Sequence, residues 1–76
     1  MIIIYDMENT YFSKSSDEAK LLLLELYGNK LGEEAYAFLK KAPVGSSYRR
    51  HGGPLVKIVG EEEWLKALEL EKERNL

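Results

Sequence analysis

The feature that most constrains the fold is a run of β-branched and aromatic residues near the amino terminus, Ile2 to Tyr5. Such residues favour extended backbone, because their side chains pack well on a pleated surface. The run does not alternate between apolar and polar residues, as a strand with one solvated face would. We therefore expect a central strand that is buried on both faces.

The length of the chain limits how such a strand can be buried. A chain of 76 residues should bury only about 60% of the surface that its unfolded form exposes. We expect one domain over residues 1–76, with the end of the last helix frayed over about residues 71–76. The sequence has no Cys and a single His, so disulfides are excluded, and we expect no cofactor and no metal.

A helical pattern follows the strand. Ser15 to Glu18 matches a capping box, which predicts a helix that begins at Ser16. Leu21 and Leu24 fall outside the apolar stripe of this helix. The residues spaced to face a core are Ala19, Leu22, Leu23 and Leu26.

The rest of the chain completes a mixed pattern. Thr10 to Phe12 forms either a short return strand or a loop, and a second helix extends to about Ala42. Gly52 to Pro54 predicts a hairpin between two further strands, and a last helix begins at Glu61 with Trp64 as a core anchor. The order β(β)ααββα indicates an α+β fold, with an antiparallel or mixed sheet of three or four strands and helices packed on one face.

Charge is segregated along the chain. Residues 1–34 carry seven acids and three lysines, residues 35–60 carry five Lys or Arg and no acid, and residues 61–76 carry six acids and three bases. The formal net charge is only −2, so the basic middle segment lies between two acidic ends. Such asymmetry concerns partners and association rather than fold.

The predicted hairpin assigns the basic residues to strand faces. If Gly52-Gly53 forms a two-residue turn, Tyr48 lies opposite Lys57 and Arg50 lies opposite Leu55, and opposed residues share a face. Burial of Lys57 together with Arg50 would be costly, so we expect Tyr48, Arg50 and Lys57 to face outwards. The other face, turned towards the core, would hold Arg49, His51, Val56 and Ile58.

An aromatic ring between Arg and Lys on one sheet face can stack on bases and contact the phosphates of single-stranded nucleic acid. The candidate binding residues, for nucleic acid or for a protein partner, are Lys40, Lys41, Tyr48, Arg49, Arg50, His51 and Lys57. In the competing interpretation, the arginines of a solvated hairpin pair with acids of the terminal helices. Nucleic-acid binding by the hairpin over residues 46–59 is therefore an alternative function.

His51, beside two arginines, suggests a second alternative. In a small ribonuclease, His51 would act as general acid or base, and Arg would stabilise the charge that develops on phosphate. No second acid or base with suitable spacing accompanies it. We therefore assign no catalytic residue.

The first strand, with the Asp6 and Asn9 that follow it, is similar to the first strand of NYN and PIN-type metal-dependent nucleases. The resemblance implies that Asp6 would help to hold a divalent ion. The chain is much shorter than that fold requires, and it lacks later strand-end carboxylates other than Glu61 to Glu63. We therefore expect a strand that runs into an Asp/Asn turn.

A domain of this size can hardly build a buried, water-excluding active-site pocket. The leading expectation is a non-enzymatic binding or regulatory module, inhibitor-like in action, that occupies a surface of a partner protein or of another copy. The residues available for an apolar interface are Leu21, Leu24, Tyr11, Phe12 and Tyr36. The absence of a long apolar segment and of a secretory signal predicts no membrane partner and a cytoplasmic location.

Overall fold

The structure, a computed structural model, describes residues 1–7, 9–50 and 52–74. Within these residues, four strands form one sheet and three helices pack against it. In chain order the elements are β1 (Ile2–Asp6), β2 (Asn9–Ser13), α1 (Ser16–Tyr27), α2 (Asn29–Leu39), β3 (Ser47–Arg49), β4 (Leu55–Ile58) and α3 (Glu61–Arg74). All strand pairs are antiparallel, and the expected α+β class is confirmed.

β1 is a central strand on which two layers of core depend. It pairs with β2 on one side and β4 on the other, in the order β2-β1-β4-β3. Ile2 and Ile4 belong to a core shared with α1 and α2, whereas Ile3 packs with Trp64 of α3. None of the three isoleucines is more than 2% exposed. The predicted burial of this strand on both faces and the role of Trp64 as a core anchor are confirmed.

Helices therefore lie on both faces of the sheet, and the expectation that they pack on one face is wrong. Successive residues of a strand point to opposite faces, so consecutive isoleucines need an apolar cover on each side. α1 and α2 together cover the first face. α3 covers the second face alone, and it leaves Leu55 partly buried and Arg49 exposed there.

The start of α1 follows the predicted capping box in part. The amide of Glu18 donates to the Ser15 hydroxyl at 3.2 Å. The Glu18 carboxylate accepts a hydrogen bond from the amide of Lys14 at 2.9 Å, one residue before the expected donor. Two backbone donors at the helix start are thus satisfied by side chains, which stabilises this helix end.

α1 and α2 pack side by side because a single residue, Gly28 with φ +93°, joins them. Gly32 of α2 lies against Leu24 of α1, and a Cβ atom at Gly32 would come within 2.6 Å of Leu24 Cδ2. Leu24 is therefore partly buried between helices. Leu26, by contrast, is 42% exposed, although its spacing predicted that it would face the core.

None of the described helices is both long and apolar enough to cross a membrane. α3 is helical as far as Arg74. The last two residues of the segment expected to fray, 75 and 76, lie outside the described residues.

The close approach of α1 and α2 can be tested at Gly32. Replacing an exposed helical Gly by Ala usually stabilises a helix by about 1 kcal/mol. For Gly32→Ala we expect the opposite, a loss of about 1–3 kcal/mol, because the new methyl group overlaps Leu24 and pushes the helices apart. Urea denaturation measures the change. As a control, the Gly32→Ala, Leu24→Ala pair should cost less than the sum of its single changes, and a stabilising Gly32→Ala would contradict this packing.

Candidate functional site

The observed hairpin register differs by one residue from the register that the two-residue turn predicted. Ser47 lies opposite Lys57, Tyr48 opposite Val56 and Arg49 opposite Leu55. The loop between β3 and β4 is longer than expected, and the amide of Gly53 donates to the carbonyl of Arg50 at 2.7 Å. A shift of one residue moves every side chain to the other face. The predicted faces of β3 are therefore wrong, while Val56 and Ile58 are buried as expected.

Tyr48 consequently lies on the α2 side of the sheet. Its ring packs against Phe38 with the ring centroids 5.4 Å apart, and its hydroxyl donates to Glu34 at 3.4 Å. Burial raises the pKa of Tyr48, and the Glu34 carboxylate raises it further. Arg50 Nη1 reaches the same Glu34 oxygen at 3.0 Å. A single carboxylate thus holds two of the candidate binding residues.

Lys57 lies on the opposite face, where its Nζ atom is 3.0 Å from Glu63 of α3. The expected outward platform of Tyr48, Arg50 and Lys57 does not form, because the sheet separates Lys57 from the other two. Arg49 is exposed on the face that carries Lys57. His51, the residue of the ribonuclease hypothesis, lies outside the described residues.

The remaining basic candidates lie at the end of α2. The ammonium groups of Lys20 and Lys40 both lie over the Tyr36 ring, 4.7 and 4.8 Å from its centroid. The Tyr36 hydroxyl donates to Asp17 at 2.7 Å, and this hydrogen bond raises the pKa of Tyr36. Lys41 is exposed beside this cluster. The cluster ties α1 to α2, and Tyr36 is part of it rather than a free apolar residue.

The other residues expected at an apolar interface are dispersed. Tyr11 packs on the core under α1 and α2, whereas Phe12 meets Trp64 edge-on across the other face, with centroids 5.3 Å apart. Leu24 packs on Gly32, and Leu21 is 67% exposed. The structure does not bring these side chains together in one surface.

A surface that the sequence did not indicate lies where the two hairpin turns meet. Both turns lie at one end of the sheet, because β1 and β4 are antiparallel and Tyr5 lies opposite Leu55. Two clefts open there, of about 480 and 440 Å³, and both are lined by Tyr5, Asp6 and Met7. The larger one lies between the β1–β2 hairpin and the end of α3, and we call it the turn-end cleft.

The turn-end cleft combines apolar and acidic side chains. Its apolar residues are Tyr5, Met7, Ala67 and Leu70, and its charged residues on α3 are Glu71, Glu73 and Arg74. Arg74 Nη1 is 3.5 Å from the Glu71 carboxylate. Two carboxylates against one guanidinium leave the α3 side of this cleft with a negative formal charge.

Met7 stands at the mouth of both clefts. It occupies the turn between Asp6 and Asn9, which pair across the hairpin, and this pairing confirms the expected Asp/Asn turn. Met7 is fully exposed and has φ +32°. Among the described residues it is the single non-glycine residue with positive φ. Turns of this kind strongly favour Asn, Asp or Gly, so an apolar residue at a turn position is the signal that could have marked this surface.

Tyr27, near Asp6, carries a buried hydroxyl group that has no hydrogen-bond partner within the described part of the chain. Burial raises the pKa of Tyr27 well above its usual value. The neighbouring Asp6 carboxylate raises this pKa further, although it lies outside hydrogen-bonding geometry with the hydroxyl. This side chain belongs to the core under α1 and α2.

Comparison of the sequence with protein family models, with curated proteins and with solved structures gives no match. Over residues 1–7, 9–50 and 52–74, no group of three or more His, Asp or Glu side chains is arranged to hold a metal ion.

The unpartnered hydroxyl of Tyr27 leads to a prediction about pH. Removing it in Tyr27→Phe breaks no hydrogen bond, so the free energy of unfolding at neutral pH should stay constant or rise by up to about 1 kcal/mol. A phenol whose pKa is higher in the folded than in the unfolded state stabilises the fold below pH 10, and that contribution is lost as pH rises further. The wild-type protein should therefore lose stability above pH 10, and Tyr27→Phe should lose less.

Urea denaturation at neutral pH and at several values above pH 10 measures both effects. Tyr36→Phe is the matched control, because it removes a hydroxyl that does hydrogen-bond, to Asp17. We expect Tyr36→Phe to cost stability at neutral pH. An equal loss in Tyr27→Phe would show that its hydroxyl has a partner.

Proposed function

We propose that the protein is a non-enzymatic binding module that occupies a surface of a partner protein through the turn-end cleft. The observation that carries this proposal is Met7, a fully exposed apolar side chain held at positive φ beside two clefts. A positive φ is less favourable for Met than for Asn, Asp or Gly, and backbone strain of this kind clusters at binding and switch sites. The proposal keeps the protein-binding expectation from the sequence but moves it to a different surface.

The side chain of Met7 is better suited to an interface than to a hairpin turn that contacts only solvent. Its flexible, polarisable side chain adapts to different apolar partners, and Met is enriched at binding surfaces. Leu70, on the other side of the cleft, is also 62% exposed. Together with Tyr5, these residues would supply the apolar centre of an interface, with charged side chains around it.

The charge of the cleft indicates what kind of partner fits. Glu71 and Glu73 outnumber Arg74, so a segment with an apolar anchor next to Lys or Arg would be complementary. The same carboxylates would repel phosphate groups. Arg50 and Lys57 are already paired with acids on opposite faces. This arrangement favours a protein partner over nucleic acid.

Met7→Asn separates binding from folding. Asn tolerates positive φ, so this substitution should stabilise the fold by about 0.5–1 kcal/mol. It also removes the apolar contact, so affinity for a cleft-bound partner should fall by about tenfold or more. Urea denaturation checks the first effect. Quantitative affinity capture from the source cell, followed by titration of the captured protein, checks the second.

Two further variants complete the experiment. Leu70→Ser should weaken the same interaction, because Leu70 lines the cleft. Leu21→Ser is the control, since Leu21 is similarly exposed on α1 and takes no part in the cleft. A partner that binds Met7→Asn and Leu70→Ser as tightly as the wild type would refute the proposed site.

A further inference from the structure

The outer edge of β2 presents backbone groups that have no partner in the described part of the chain. The amide of Val59 donates to the carbonyl of Met1, so the odd-numbered residues of β1 bond towards β4 and the even-numbered ones towards β2. The β2 residues opposite these even-numbered positions are Asn9, Tyr11 and Ser13. The amides and carbonyls of Thr10 and Phe12 therefore point away from the sheet.

This edge lacks the features that usually prevent strands from pairing with other molecules. Natural edge strands are kept short or carry charged residues, Pro or bulges. The opposite edge follows that rule, because β3 has only three residues and one of them is Arg49. β2 has five residues, Asn9–Ser13, and none of them is charged, Gly or Pro. The β3 edge therefore has features that hinder pairing with another strand, and the β2 edge lacks them.

Exposed leucines flank the β2 edge on both faces of the sheet. On α1, Leu24 packs against α2. Leu26 lies about 160° around the helix from Leu24 and is therefore on the side away from α2. On that side α1 borders β2. On α3, Glu63 pairs with Lys57 of β4. Leu65 lies about 160° around the helix from Glu63 and is therefore on the side away from β4. β2 lies on that side, where Phe12 meets Trp64. Leu26 is 42% exposed and Leu65 is 55% exposed.

We infer that the β2 edge is a dimer interface, and that its occupant is β2 of a second copy of this chain. In an antiparallel pair centred on Tyr11, Thr10 of each copy lies opposite Phe12 of the other. Each pair exchanges two N–H···O=C hydrogen bonds, because these are the groups that point outwards. The two sheets join into one sheet of eight strands, with Leu26 of each copy on one face of the enlarged sheet and Leu65 of each copy on the other.

Three properties favour a second copy over a foreign strand. The outward groups are symmetric about Tyr11, as a two-fold interface requires. The strand carries no charge, so pairing with itself brings no like charges into direct opposition. A chain of this size has a small core, and association is a common way in which such domains gain stability.

Sedimentation equilibrium over a range of concentrations tests the interface with two matched double variants. Leu26→Lys, Leu65→Lys places a positive charge on each side of the edge and should raise the dimer dissociation constant by more than tenfold. Leu21→Lys, Val44→Lys makes the same kind of change at two exposed apolar residues away from the edge and should leave that constant within about threefold of wild type. Circular dichroism confirms that both variants are folded.

Hydrogen exchange measured by NMR locates the contact. The amides of Thr10 and Phe12 should exchange quickly at low concentration and become protected as the dimer forms, while that of Tyr11 is protected throughout. A chain that stays monomeric at millimolar concentration would overturn the inference and leave the edge to a foreign strand. A dimer that both double variants weaken equally, or one that leaves Thr10 and Phe12 unprotected, would overturn it as well.

Discussion

The burial of β1 on both faces is the constraint on which the rest of the structure depends. Ile2, Ile3 and Ile4 follow one another along a strand, so their side chains are directed alternately to opposite sides of the sheet. Each side then needs an apolar cover, and a chain of 76 residues has three helices to supply it. The result is one core on each side of β1, and Trp64 packs in the second core.

The two faces are covered unequally, and the turn-end cleft arises from this inequality. α1 and α2 are held together by the contact of Gly32 with Leu24 and by the hydrogen bond from Tyr36 to Asp17. α3 lies alone on the other face, so its end leaves a cleft beside the hairpin turn that carries Met7. Of the two surfaces that we propose for partners, the turn-end cleft is apolar and weakly acidic and the β2 strand is uncharged.

The charge segregation of the sequence has a structural meaning that differs from a basic binding patch. The hairpin contributes Arg50 to one face, where it pairs with Glu34, and Lys57 to the other face, where it pairs with Glu63. Exposed ion pairs of this kind add little stability. They nevertheless place acids from the flanking segments next to bases from the middle segment, which reduces the local positive charge.

Local patterns in the sequence determined the elements, because a helix start or a buried strand depends on residues that are close neighbours. The Ile2 to Tyr5 run, the Ser15 capping residue and the position of Trp64 are correct on that basis. Only the tertiary structure decided on which face of the sheet each side chain lies. One extra residue in the β3–β4 loop reverses every side chain of β3, and the turn-end cleft forms because α3 ends beside the distant turn that carries Met7. These features depend on contacts between segments far apart in the chain, which periodicity and propensity do not encode.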